Sequence, residues 1–140
     1  MKVVLDTNVV ISGLLATAGP PGRIVDLWVD AKIEVVVSPA IIAEYIGVFL
    51  RPQFAKVGTL EERQQLLQDL ITLSNTILIL PHVEINVIKA DPRDNRFLEC
   101  IKAGKPDCLI SGDSHLLALG EYEGIPIITP REFLETLWKH

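Results

Sequence analysis

The 140-residue sequence predicts an α/β fold: a mainly parallel sheet with helices on both of its faces. Two observations predict it. Short runs of Val, Ile and Leu alternate along the chain with segments whose apolar residues recur at helical spacing. The runs are also nearly continuous in apolar residues, as strands are when both sides of the sheet are covered. With 49% hydrophobic residues the chain can bury a core, which excludes a disordered polymer. No repeat, low-complexity tract or break in composition divides it, so residues 1–140 read as one domain.

Residues 2–6 form the first strand, an apolar run closed by Asp6, and residues 8–16 a short helix or turn. Gly19-Pro20-Pro21-Gly22 breaks the chain. A helix over 22–31 then presents Ile24, Leu27 and Trp28 on one side, with Asp26 and Asp30 facing elsewhere. Residues 33–37 are the second strand. Ser38-Pro39 supplies an N-cap and a first-turn proline for a helix over 39–50, with Ile42, Tyr45, Ile46 and Phe49 as its apolar face. Thr59 and Glu62 form a capping box for a helix through about residue 75, striped by Leu66, Leu67, Leu70, Ile71 and Leu73. The third strand is 76–80. Residues 82–90 are ambiguous: Val83, Ile85 and Val87 alternate as in a strand, yet a loop is equally compatible. After Asp91-Pro92-Arg93-Asp94-Asn95, a helix continues to about 103, with Phe97, Leu98 and Ile101 inward. Residues 107–111 are the fourth strand, followed by Gly112-Asp113 and a short helix holding Leu116 and Leu117. Residues 124–128 form a last strand, and Thr129 with Glu132 caps a helix to the C-terminus.

Composition limits the chemistry. Cys100 and Cys108 make neither a CxxC pair nor a zinc pattern and lie among apolar neighbours, as buried free thiols do. His82, His115 and His140 lack metal-ligand spacing and are given no catalytic role. No apolar run reaches the roughly 20 residues of a membrane span, and Asp6 interrupts the only stretch that could resemble a signal peptide. A cytoplasmic protein is expected. The net charge of −5 disfavours a passive nucleic-acid binder. It does not disfavour a metal-dependent nuclease: assigning four of the 18 acidic residues to a metal leaves 14, against 13 basic residues.

Four acids fall where a parallel sheet places its sites, beyond the carboxyl ends of the strands. Asp6 ends the first strand, Glu44 lies early in the helix after the second, Asp94 opens the helix before the fourth, and Asp113 follows the fourth. Each has an ordinary explanation. Asp94 and Asp113 can be helix caps, Glu44 can face water, and Asp91 and Asp107 read as turn and strand-edge residues. Asp6 is the hardest to explain that way, because an acid ending a buried strand needs compensation. Converging carboxylates repel unless a cation sits among them, and an all-oxygen set favours Mg²⁺ or Mn²⁺.

The motifs that carry these acids resemble the PIN-domain family, and in particular the VapC-like toxins of toxin–antitoxin pairs. They are Leu5-Asp6-Thr7-Asn8-Val9, Ser38-Pro39 leading to Glu44, Asp91-Pro92-Arg93-Asp94-Asn95, Ser111-Gly112-Asp113 followed by Leu116-Leu117, and Ile127-Ile128-Thr129-Pro130-Arg131-Glu132-Phe133-Leu134. The resemblance spans essentially the whole chain. It implies a three-layer α/β/α sandwich and Mg²⁺- or Mn²⁺-dependent endonucleolytic cleavage of RNA, with Asp6, Glu44, Asp94 and Asp113 as the catalytic and metal-binding set. Asn8 and Ser111 match supporting polar positions, and Arg51, Arg93 and Arg96 are candidate phosphate contacts. The resemblance also implies a homodimer and a small antitoxin partner; the apolar helices at 39–50 and 60–75 are a candidate dimer surface, and core is the alternative place for the same residues. Two departures are Lys105-Pro106 before Asp107 and the lack of an evident basic patch.

Two other functions compete. A haloacid-dehalogenase-type phosphotransfer enzyme also begins with a strand and an Asp, but it needs a second acid two residues on, where this chain has Asn8. A non-catalytic RNA-binding or protein-interaction module on the same scaffold would keep the acids without turnover.

Overall fold

The computed structural model describes residues 1–138; the prediction for His140 lies outside the described residues. Among the described residues six strands form one sheet: β1 (Lys2–Leu5), β2 (Glu34–Val37), β3 (Thr76–Leu78), β4 (Cys108–Ile110), β5 (Glu121–Tyr122) and β6 (Ile125–Ile128), in the order β3-β2-β1-β4-β6-β5. All pairings are parallel except β5 with β6. Central β1 pairs with β2 through Val3 and Val35, and with β4 through Leu5 and Ile110. The chain builds the sheet outward in one direction from β1 to β3 and in the other from β4 to β6. The order therefore reverses between β1 and β4, the position at which open α/β sheets hold their sites. With helices flanking the sheet, the architecture is a three-layer α/β/α sandwich.

Local chemistry explains most helices. Helix α1 (Thr7–Leu15) begins directly after Asp6, and α2 (Pro20–Val29) takes both prolines into its first turn, where a missing N–H costs nothing. The Gly-Pro-Pro-Gly stretch thus starts a helix two residues before the expected 22–31. A Cβ on Gly13 of α1 would lie 2.5 Å from Val25 Cγ2 and 2.7 Å from the Pro21 carbonyl oxygen, so glycine permits the close α1–α2 approach. Trp28 of α2 is fully buried, and its indole N–H donates to Thr76 Oγ1 at 2.9 Å, tying α2 to edge strand β3. Helix α3 (Pro39–Phe49) is capped by Ser38, whose hydroxyl accepts from the Ile41 N–H. Ile41, Tyr45 and Phe49 are its buried face, while Ile42 and Ile46 are only partly covered.

Two expectations, for the helix over 60–75 and for the C-terminal helix, are corrected, and the open reading of residues 82–90 resolves to a loop. Helix α4 (Leu60–Ile71) has the expected capping box but stops at Ile71, and Leu66 is 40% exposed. The inward stripe is Arg63, Leu67 and Leu70, at i, i+4 and i+7, so an arginine takes the place the leucine pattern assigned to Leu66. Residues 82–90 contain no strand: Val83 and Val87 are exposed, while Ile85 and Ile88 turn inward. The Asn95 side chain explains this. It accepts from the N–H groups of Val87 and Ile88 and donates to the carbonyls of Ile88 and Pro92, giving the loop hydrogen bonds that a ladder would otherwise supply. The two-residue β5 adds an unforeseen antiparallel edge. The last predicted helix is one turn, α7 (Pro130–Glu132), continued by a π turn over Phe133–Leu137.

The core runs on both sides of β1, β2 and β4. Val3, Val4, Leu5, Val35, Val37, Leu109 and Ile110 are fully buried, with Trp28, Tyr45, Phe49, Phe97 and Phe133 as the large side chains around them. Each such aromatic contributes on the order of 3 kcal/mol by leaving water. Both thiols are free and buried, and burial pushes each up to about 12, so neither is a nucleophile at neutral pH.

Candidate metal centre and nucleic-acid interface

The site begins with the end of β1. The Asp6 N–H donates to the Ile110 carbonyl at 3.0 Å, extending the β1–β4 ladder by one residue and fixing the Asp6 backbone before α1 starts. The Asp6 side chain is 4% exposed. Its Oδ2 accepts from Ser111 Oγ at 2.7 Å, and the same Ser111 hydroxyl accepts from the Asp113 N–H at 2.9 Å. One buried serine after β4 thereby joins the first and fourth acids.

Glu44 arrives by a different route. The phenol of buried Tyr45 donates to the Leu5 carbonyl, pinning α3 against the last residue of β1. Its neighbour Glu44 then reaches back toward α1, where Thr7 Oγ1 donates to Glu44 Oε2. Arg96 Nη1 lies 3.7 Å from Glu44 Oε1 and also donates to the Ala40 carbonyl. Glu44 therefore does not project freely into water.

Asp94 closes the 3₁₀ turn Pro92–Asp94 and stands just ahead of α5 (Asn95–Gly104), yet its side chain caps nothing. The four hydrogen bonds of Asn95 hold the backbone beside it. Asp94 is 8% exposed, and its Oδ2 is buried with no hydrogen-bond partner. Asp113, by contrast, is a working cap of α6 (Ser114–Leu119): its Oδ2 accepts from the Leu116 N–H at 3.0 Å. Asp91 is a turn residue paired with Arg93 at 3.2 Å.

All four predicted acids line one polar cleft of about 210 Å³, together with Thr7, Asn8, Arg51, Asp91 and Arg93. Asn8 is exposed on the cleft wall. Burial pushes the Asp6 carboxyl up to about 6; the Ser111 hydrogen bond opposes the rise, and the charges of Asp113 and Glu44 add to it. Burial also pushes Asp94 up to about 7, with Asp113, Asp91 and Asp6 as the repelling neighbours. The Arg93 hydrogen bond instead holds Asp91 below the usual carboxylate range. A second groove of about 230 Å³ adjoins the cleft. It shares Glu44, Val48, Arg51 and Arg93 with it and adds Arg96. The fold brings Arg51 beside Arg93 and Arg96, with Arg93 paired to Asp91 and Arg96 close to Glu44.

Sequence reasoning missed two side chains. Thr7 lies inside the quoted Asp6-Thr7-Asn8 run and was legible as a small polar residue without an assigned task. His115 Nδ1 is 3.9 Å from Asp94 Oδ2 and 3.9 Å from Asp113 Oδ2, so the reading that no histidine has metal-ligand spacing is corrected for His115. Its signal was available, two residues past Asp113 at the start of a helix. One oxygen each of Asp94 and Asp113 and one His115 nitrogen lie within 4.8 Å of one another, a spacing that could hold a metal ion.

The residues fit a divalent cation on two grounds. A buried carboxylate oxygen faces the cluster without a partner, and the charged forms of Asp6 and Asp94 are disfavoured by burial and by the carboxylates around them. No helix among the described residues is long and apolar enough to cross a membrane.

Comparison with known proteins agrees with this geometry. A family model described as the PIN domain matches residues 2–115. The chain is 33% identical over a 148-residue alignment to an uncharacterized protein of Methanocaldococcus jannaschii, covering 99% of this chain and 93% of the relative. No solved structure matches significantly.

Proposed function

This chain belongs to the PIN-domain family, and from that premise we propose that it is a divalent-cation-dependent endoribonuclease. The observation that carries the proposal is the unpartnered, buried Asp94 Oδ2 in the cleft that also holds Asp6, Glu44 and Asp113. Those four acids would hold Mg²⁺ or Mn²⁺. When bound, such an ion neutralises the carboxylates, polarises water and stabilises a leaving oxygen.

The chain's own residues do the rest. Ser111 fixes Asp6 Oδ2 and Thr7 fixes Glu44 Oε2, so two of the acids are oriented by hydroxyls instead of swinging freely. Arg51 and Arg93 in the cleft and Arg96 in the adjoining groove offer positive charge for the RNA backbone. Water adds to phosphorus in line, the bond to the 3′ oxygen breaks, and that oxygen takes a proton. The products carry 5′-phosphate and 3′-hydroxyl ends.

The toxin role, a small antitoxin partner, a homodimer, a cytoplasmic setting and a single domain over residues 1–140 belong to the same proposal. They are supported by the motif resemblance and not by the cleft. The test is cleavage of end-labelled RNA by wild type and Asp6→Asn, with Mg²⁺, with Mn²⁺ and with chelator. Wild-type cleavage that needs metal and falls by more than about 100-fold in the variant, with folding intact, is the expected result. Equal cleavage by both proteins points to a contaminant and leaves a binding module. Ends bearing 2′,3′-cyclic phosphate would sink hydrolysis by water.

A further inference from the structure

His115 stands apart from the acids around it. It is the second residue of α6, its side chain is about half exposed at the edge of the cluster, and its Nδ1 is equidistant from Asp94 Oδ2 and Asp113 Oδ2. The Asp94 oxygen it faces is the buried one that lacks a partner. The Asp113 oxygen is already engaged with the Leu116 N–H, which fixes its direction and leaves room for one more interaction. The three donor atoms lie within 4.8 Å of one another and come from two elements whose backbones are fixed, by Asn95 on one side and by Ser111 on the other.

We infer that His115 is a nitrogen ligand in this cluster, forming with Asp94 and Asp113 a mixed nitrogen–oxygen subsite that selects Mn²⁺ over Mg²⁺. The inference rests on the proposed metal-dependent function and deepens it. Mg²⁺ takes oxygen donors and gives up water reluctantly, so an imidazole adds little to its binding. Mn²⁺ accepts nitrogen more readily, as transition ions generally do. Asp6 and Glu44, oriented by Ser111 and Thr7, form the all-oxygen side of the same cleft and carry no such preference. The alternative role for His115 is that of a counter-charge, an imidazolium relieving the repulsion between two carboxylates without touching a metal.

Spectroscopy separates these roles without measuring turnover. The full-length, metal-stripped protein is titrated with Mn²⁺ alone, followed by electron paramagnetic resonance and by electron spin-echo modulation from nitrogen, and then competed with Mg²⁺. Wild type is expected to show a directly bound nitrogen. In His115→Gln the nitrogen signal should vanish and Mn²⁺ affinity fall about tenfold or more, while Mg²⁺ affinity stays within about twofold. His82→Gln, which alters a histidine outside the cleft, should keep both signal and affinity. Mn²⁺ binding without a nitrogen signal, or a signal that survives in His115→Gln, overturns the ligand role while leaving the metal-dependent nuclease standing. No Mn²⁺ binding by folded wild type overturns both.

Discussion

Arg63 and Asp94 are both charged side chains buried in the same molecule, and their surroundings are opposite. Arg63, 3% exposed on the inner stripe of α4, donates to the carbonyls of Phe49, Arg51 and Gly58 at 2.8–3.0 Å. Those carbonyls belong to the end of α3 and to the ends of the 3₁₀ turn Pro52–Val57, so one guanidinium closes a stretch of chain that has no ladder of its own. Asp94 is buried to a similar degree, but one oxygen has no partner and three further acids, Asp113, Asp91 and Asp6, repel it. A buried charge whose hydrogen bonds are filled is architecture. A buried charge left open among like charges gives up stability that a ligand can restore.

Substitutions should sharpen that contrast or break it. The largest effect is expected at Arg63: Arg63→Met keeps the apolar stem and strands three carbonyls, so thermal or denaturant unfolding should show a loss of about 3 kcal/mol. A neutral Arg63→Met would mean the carbonyls find water easily and the contrast is false. Next is the pH dependence of the metal-free protein. Asp6 and Asp94 have folded-state values raised to about 6 and about 7 from an unfolded value of 3.8. Between these limits the folded state holds more protons than the unfolded state, so stability falls as pH rises from about 4 to about 7. Melting temperatures in chelator should therefore be higher at pH 5 than at pH 7.5, and saturating Mn²⁺ should narrow the difference. A melting temperature that instead rises with pH over this window would refute the arrangement of the acids. The smallest effect is Asp94→Asn, which removes one repelling charge and offers an N–H₂ group to Asp113. It should stabilise the metal-free protein at pH 7.5 by on the order of 1 kcal/mol and flatten the pH slope. A loss as large as that of Arg63→Met would place Asp94 with the architecture.

The fold and the cleft differ in how far the sequence disclosed them. Val3–Leu5 closed by Asp6 announces a buried strand with an acid at its tip, and the Thr59–Glu62 and Thr129–Glu132 boxes announce helix starts, because each is a local pattern with a local cause. Arg63 leaves no such trace: its partners are carbonyls 5–14 residues away, and a carbonyl has no sequence identity. Scoring leucines alone therefore put Leu66 inside. The alternation over 82–90 left strand and loop open for a related reason: the hydrogen bonds that decide for the loop come from the Asn95 side chain, outside that segment. At the cleft, the four acids were legible together from their positions relative to the strands. The tasks of Thr7 and His115 were not, because their meaning depends on which helix start faces which.

The Asn95 clamp has a consequence for how this protein can change over time. Every atom it binds is main chain: two amides and two carbonyls, from Val87, Ile88 and Pro92. The side chains in the preceding loop do not enter that recognition. Residues between Pro81 and Glu84 are thus free to drift in identity, and even in number, while the amide of Asn95 keeps its grip and the acid beside it stays in register. A segment that is plastic up to two main-chain anchors, the Glu99 carboxylate on the Ile85 N–H and the Asn95 amide, lets a lineage reshape the surface beside α5 without moving the cleft.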